Sequence, residues 1–126
     1  MIRYLIDANC VIFALSDASS PVTRRIAHSA PGSLAISAIT FAEVALGTLR
    51  GRPPPPEALD ALLAVVPLVA FDDPAARCYA TLPFRRGRFD RLLAAHALSL
   101  GAAIVTNNLA DFSDVPGLVV EDWSQP

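Results

Sequence analysis

Five short apolar runs separated by helix signals are the strongest constraint on how this sequence can fold. Ile2–Ile6, Leu34–Ile36, Leu68–Phe71, Ala103–Thr106 and Leu118–Val120 read as strands, too short to be buried helices and rich in β-branched or aliphatic residues. Helix starts and stops fall between them. Asp7-Ala8-Asn9 is a turn and cap ahead of Val11–Leu15, and Ser20-Pro21 offers an N-cap and an N1 proline for a helix that Pro31-Gly32 ends. Ser37 caps a helix running to about Leu49, a proline run at Pro53–Pro56 leads into a helix over Glu57–Val65, and Asp72-Asp73-Pro74 opens another. A last helix, Phe89–Leu100, is closed by Gly101. Strands that alternate with helices and carry little polar alternation belong to a sheet covered on both faces, so an α/β fold with a mainly parallel sheet of five strands is expected. No composition break or internal repeat divides the 126 residues, and a single domain, 1–126, is expected.

Composition narrows the chemistry. Apolar residues make up 53% of the chain and charged residues 17%, a balance that excludes disorder. Because 22 of the apolar residues are alanine, the core has to be finely packed. All ten positive charges are arginine and there is no lysine, which excludes Walker-type nucleotide sites and Schiff-base chemistry. It also argues against a phosphorylation-switched receiver domain, which needs a lysine opposite its phosphoacceptor. Cys10 and Cys78 form no CxxC and pair with neither histidine, so zinc binding and a disulfide framework are not expected. The uncharged run Ile26–Ala42 is broken by Pro31-Gly32 and falls short of a membrane span. With no signal-peptide pattern ahead of Asp7, a soluble cytoplasmic protein is expected.

In parallel α/β sheets, ligands bind beyond the carboxyl ends of the strands. Four acids fall where the sequence would bring them to that edge. Asp7 follows the first strand, and Asp111 lies in the loop after the fourth. Asp90 sits in the first turn of its helix, and Glu43 interrupts the apolar helix after the second strand. Four carboxylates in one pocket repel each other, and their simplest counterion is a divalent metal with oxygen ligands, Mg²⁺ or Mn²⁺. Each acid also has a plainer use, as a turn-former, cap or surface charge.

The segments YLIDANCVIFAL, SAITFAEVALG, FDRLLAAHAL and VTNNLADFSDVPGLVVEDW resemble, in order, the four signature blocks of PIN-domain ribonucleases, in particular the VapC-like toxins of bacterial toxin–antitoxin pairs. The resemblance runs from Ile2 to Trp123. It implies a PIN-like three-layer α/β/α fold and metal-dependent endonuclease chemistry on RNA. It maps the catalytic and metal-binding acids onto Asp7, Glu43, Asp90 and Asp111, with Asn9, Thr106 and Asn108 as accessory polar residues. A cognate antitoxin that blocks the site and a homodimer are implied too. The stretch before Asp90 departs from the family in being short and arginine-rich. Arg85, Arg86, Arg88 and Arg91 are candidate RNA-phosphate ligands, since arginine forks match phosphate geometry. His96 reads as a core histidine and Trp123 as a packing anchor. The competing reading is a catalytically silent PIN-like module that binds RNA or protein; retention of all four acids speaks for the nuclease.

Net charge then has to be read by region. The whole chain carries −2, but eight acids remain against ten arginines outside the four site carboxylates.

Overall fold

A computed structural model of the chain describes residues 1–83 and 88–124, apart from the side chain of Arg88. The strands are β1 (Tyr4–Ile6), β2 (Leu34–Ser37), β3 (Leu68–Val69), β4 (Ala103–Val105) and β5 (Val120–Glu121). The helices are α1 (Ala8–Ser16), α2 (Pro21–Ala27), α3 (Ala38–Leu49), α4 (Pro56–Val65), α5 (Asp73–Ala80) and α6 (Arg88–Leu100), with a 3-10 turn at Leu109–Phe112.

The sheet has the order β3-β2-β1-β4-β5, and every neighbouring pair is parallel. Its central register sets Leu5 between Ala35 of β2 and Ile104 of β4. These three side chains point to one face, where they pack with Leu93, Ala94 and Ala97 of α6 and with Phe112 and Val115. Their chain neighbours Ile6, Leu34, Ile36 and Val105 point the other way, onto Cys10, Val11, Val22, Val44 and Leu59 of α1 to α4 and onto Trp123. Side chains of period two therefore divide the core into two sheets of contact, and helices cover both faces. This is the three-layer α/β/α arrangement expected. Small residues make it compact: Ala94, Ala95 and Ala97 are wholly buried, so α6 lies close against its neighbours.

The ends of the elements follow local chemistry. Asp7, Ser20, Ser37 and Asp72 each accept a backbone N–H in the first turn of the helix they precede. α4 begins at Pro56, one residue ahead of the expected start, because proline at the first helical position has no N–H to satisfy. α6 ends at Gly101, which takes a φ of +66°. There the Gly101 N–H bonds the Leu98 carbonyl, and the Ala102 N–H reaches back to that of Ala97. The edge strands β3 and β5 are only two residues long, shorter than their apolar runs, because each has a ladder partner on one side only.

Strand order reverses between β1 and β4, whose connections leave in opposite directions across the sheet. The crevice at their carboxyl ends is the place such a sheet offers to a ligand. Leu5 sits wholly buried at the centre of this arrangement. Leu5→Ala is expected to lower unfolding free energy by about 2–5 kcal/mol, measured by denaturant titration.

Candidate active site

Asp7 is the first residue past β1, at the reversal point. Its N–H bonds the Val105 carbonyl of β4 (3.0 Å), and its Oδ1 accepts the Cys10 N–H (2.9 Å) as the N-cap of α1. One oxygen is thus fixed by the helix start. The cap demands a short carboxylate or amide here, and the sheet demands that it stand at the carboxyl edge. Burial and the neighbouring Asp7 charge push the Cys10 thiol far up from its ordinary value, so this cysteine is inert packing.

Thr106 holds the matching position after β4. It is buried, its N–H bonds the Glu121 carbonyl, and its Oγ1 accepts the Asn108 N–H at 3.0 Å. That bond turns the chain out of the sheet and into the 3-10 turn that bears Asp111. Asn108 stands just ahead of this turn, and its carbonyl accepts the Asp111 N–H. Asn9, exposed in the first turn of α1, lies two residues beyond Asp7.

Glu43 is brought in by α3 and Asp90 by the first turn of α6. Both carboxyls are held above their ordinary range. For Glu43 the causes are desolvation, then the charges of Asp90 and Asp7. For Asp90 they are desolvation, then the charges of Asp111 and Asp7. Each of the four acids therefore feels at least one other, although they come from four separate parts of the chain. Among the described residues, no three carboxylate, imidazole or thiol groups close tightly enough to cage an ion by themselves. An oxygen-only, mutually repelling donor set still suits a hard divalent cation. Mg²⁺ in particular keeps several waters and takes only one or two carboxylates directly, the rest of its shell coming from substrate phosphate.

The arginines divide. Arg85 and Arg86 lie outside the described residues, and Arg88 opens α6 with its side chain undescribed. Arg91 departs from expectation. It is 6% exposed and turned inward, with Nη2 on Asp114 Oδ2 at 2.5 Å. Successive helix residues point about 100° apart, so Arg91 cannot share the outward face of Asp90. Its ion pair ties the start of α6 to the segment just after the Asp111 turn, a bracing role in place of phosphate binding.

Sequence reasoning also missed a buried polar pair. Ser37 Oγ lies 2.7 Å from Nδ1 of His96, and both residues are wholly buried. In the sequence Ser37 reads as a helix cap and His96 as a core histidine, with nothing to connect them. Only their fold neighbourhood joins them, although two polar residues amid apolar helices were a signal that each needed a partner. Trp123 is the anchor expected: its ring meets the edge of Tyr4 (5.0 Å), its indole N–H donates to Glu121 Oε1 (3.0 Å), and Arg25 lies over its face (4.6 Å).

A family model for the PIN domain matches residues 4–118. The chain is a PIN-domain protein. It is 31% identical over 134 residues to the tRNA(fMet)-specific endonuclease VapC of Shigella flexneri, covering 98% of this chain and 100% of that one. It is 26% identical over 132 residues to the ribonuclease VapC2 of Rickettsia felis, covering 97% of this chain and 98% of that one. Among solved structures, VapBC2 from Rickettsia felis bound to a DNA fragment from their promoter matches with a TM-score of 0.84 and 27% identity, over 98% of this chain and 99% of that one. Within the PIN-domain family the chain thus belongs with the VapC ribonucleases. No helix among the described residues is long and apolar enough to cross a membrane.

Raised carboxyl pKa values make a stability prediction. Glu43 binds its proton more tightly folded than unfolded, so its ionisation costs stability once the pH exceeds the ordinary glutamate value of 4.5, and costs nothing well below it. Glu43→Gln is therefore expected to raise the metal-free melting temperature by a few degrees at pH 7.5, with the gain vanishing near pH 4. Calorimetry at the two pH values checks this.

Proposed function

We propose that this chain is a divalent-metal-dependent endoribonuclease, Mg²⁺ or Mn²⁺ serving as cofactor, and that it acts as the toxin of a toxin–antitoxin pair. The observation that carries the reading is the gathering of Asp7, Glu43, Asp90 and Asp111 at the β1/β4 reversal, with no lysine in the chain to answer their charge. Family membership and the nuclease names of the relatives support it.

Asp7, Glu43 and Asp90 would hold the ion, with Asp111 assisting directly or through water. When bound, a divalent ion neutralises charge at the scissile phosphate and makes its water more acidic. The protein supplies position. The Cys10 N–H fixes the Asp7 carboxylate through Oδ1. Thr106 shapes the loop that presents Asp111. The Arg91–Asp114 pair braces that loop against the start of α6, so that Asp90 and Asp111 keep a fixed separation. The arginine-rich stretch Arg85–Arg88 is the proposed contact for RNA phosphates beyond the cut. Because the matched structures include VapBC assemblies, a cognate antitoxin is the proposed restraint, with a second copy of this chain as a further partner.

The test uses the purified chain with Mg²⁺ or Mn²⁺ and a panel of structured RNAs. Initiator tRNA is included because the Shigella relative is named for it. Internal cleavage is expected, abolished by chelation. Asp7→Asn keeps a good helix cap and so keeps the fold. It should cut at least about 100-fold more slowly, beyond the loss typical of a supporting contact around a metal ligand. Equal cutting by wild type and Asp7→Asn would remove this reading in favour of a silent binding module.

A further inference from the structure

The start of β1, the end of α2 and the segment after β5 enclose a second polar cavity, apart from the four acids. Its volume is about 230 Å³, and Arg3, Tyr4, Arg25, His28, Ser33 and Trp123 are among the residues that line it. None of the described residues lining it is acidic. Aromatic rings support its arginines. Arg25 Cζ lies 4.6 Å from the centre of the Trp123 ring, and Arg3 Cζ lies 5.8 Å from that of Tyr4. The two rings themselves meet edge to face at 5.0 Å, so both cations rest on one aromatic support.

A guanidinium held by its face keeps the N–H groups around its rim for a ligand. Neither rim is spent here. Among the described residues, no ion pair engages Arg3, which is exposed. Arg25 stands 3.7 Å from Glu121 Oε1, beyond hydrogen-bond range, and that oxygen already accepts the Trp123 indole N–H at 3.0 Å. The serine hydroxyls of the cavity give their protons to backbone carbonyls, Ser29 to that of Arg25 and Ser33 to that of Ala30. Recognition therefore falls to the two arginine forks and to His28, whose Nδ1 is occupied by the Arg24 carbonyl at 2.7 Å. Two planar forks without a bound carboxylate match a phosphate.

The cavity lies within reach of the acid-bearing edge. The Thr106 N–H bonds the Glu121 carbonyl at that edge, and Trp123 comes two residues later. Two residues of chain span at most about 7 Å. Arg3 precedes Asp7 by four residues, about 13 Å along β1. We propose that this cavity is a second phosphate subsite, in which Arg3 and Arg25 hold a backbone phosphate of single-stranded RNA away from the cut. The choice of RNA as ligand rests on the proposed ribonuclease reading.

The test reads binding, so its failure is distinct from a failure to cut. Labelled single-stranded RNA is titrated with the metal-free full chain over a range of salt, and binding is followed by anisotropy. For single strands, the logarithm of the binding constant falls with that of salt by about 0.7 per neutralised phosphate. Arg3→Gln and Arg25→Gln are each expected to reduce this slope by about 0.7, and the double variant by about 1.4. Arg25→Lys keeps the charge and should keep the slope near wild type. Arg52→Gln, an equal loss of charge at an exposed arginine outside the cavity, should leave the slope unchanged. If Arg25→Gln does not fold, the exposed Arg3→Gln decides. Trp123, the one tryptophan of the chain, reports on the cavity directly, and its emission is expected to change on adding RNA. Inorganic phosphate and a poly-glutamate peptide are titrated alone as the other anion sources. Emission that responds to either as readily as to RNA would overturn the assignment. So would a slope unchanged in Arg3→Gln, or reduced as much in Arg52→Gln, even if the protein cuts RNA. The expected slopes in a protein that cuts no RNA would keep the subsite and discard the nuclease.

Discussion

Everything at the carboxyl edge of this sheet depends on holding like charges together. Four carboxylates are directed there, and in two of them, Glu43 and Asp90, burial and neighbouring negative charge hold the carboxyl above its ordinary range. No lysine exists in the chain to relieve them. The elements that carry the acids are set by rigid, mostly neutral devices: a helix start that grips Asp7, and alanines that let α6 lie close to the sheet. One charged device, the Arg91–Asp114 pair, sits to the side of the cluster and binds its two later segments together. A site arranged in this way is unstable by construction, and proteins commonly accept that loss where function requires it.

The scaffold was open to a sequence reading because its signals are local. Helix starts at Asp7, Ser20, Ser37 and Asp72 depend on one side chain and the next few N–H groups. Buried strands announce themselves as apolar runs. What a short run does not report is how much of it pairs: Leu68–Phe71 yields only two strand residues, because β3 has a neighbour on one side alone. The acids could be placed at the carboxyl edge for the same reason, since each lies close in sequence to a strand end or a helix start.

Contacts between distant residues were not open to the same reading. Ser37 and His96 are 59 residues apart, and Arg91 and Asp114 are 23 apart. A sequence displays the need of each group for a partner and leaves the choice of partner to the fold. Arg91 shows the error that follows: its position beside Asp90 suggested a shared surface, whereas helical geometry sends the two side chains in different directions. The burial of Arg91 also shifts the weight of any RNA contact onto the stretch that precedes it.

The strand order has a consequence for synthesis. Asp7 directly follows β1, but its crevice is walled on the other side by β4, and Asp111 follows later still. The central strand therefore waits, with one flank unpaired, until most of the polypeptide has emerged. Prematurely terminated chains and amino-terminal proteolytic fragments lack the wall and the fourth acid together. In such fragments the crevice beside Asp7 stays open on its β4 side, and the acids from the four parts of the chain are never assembled together.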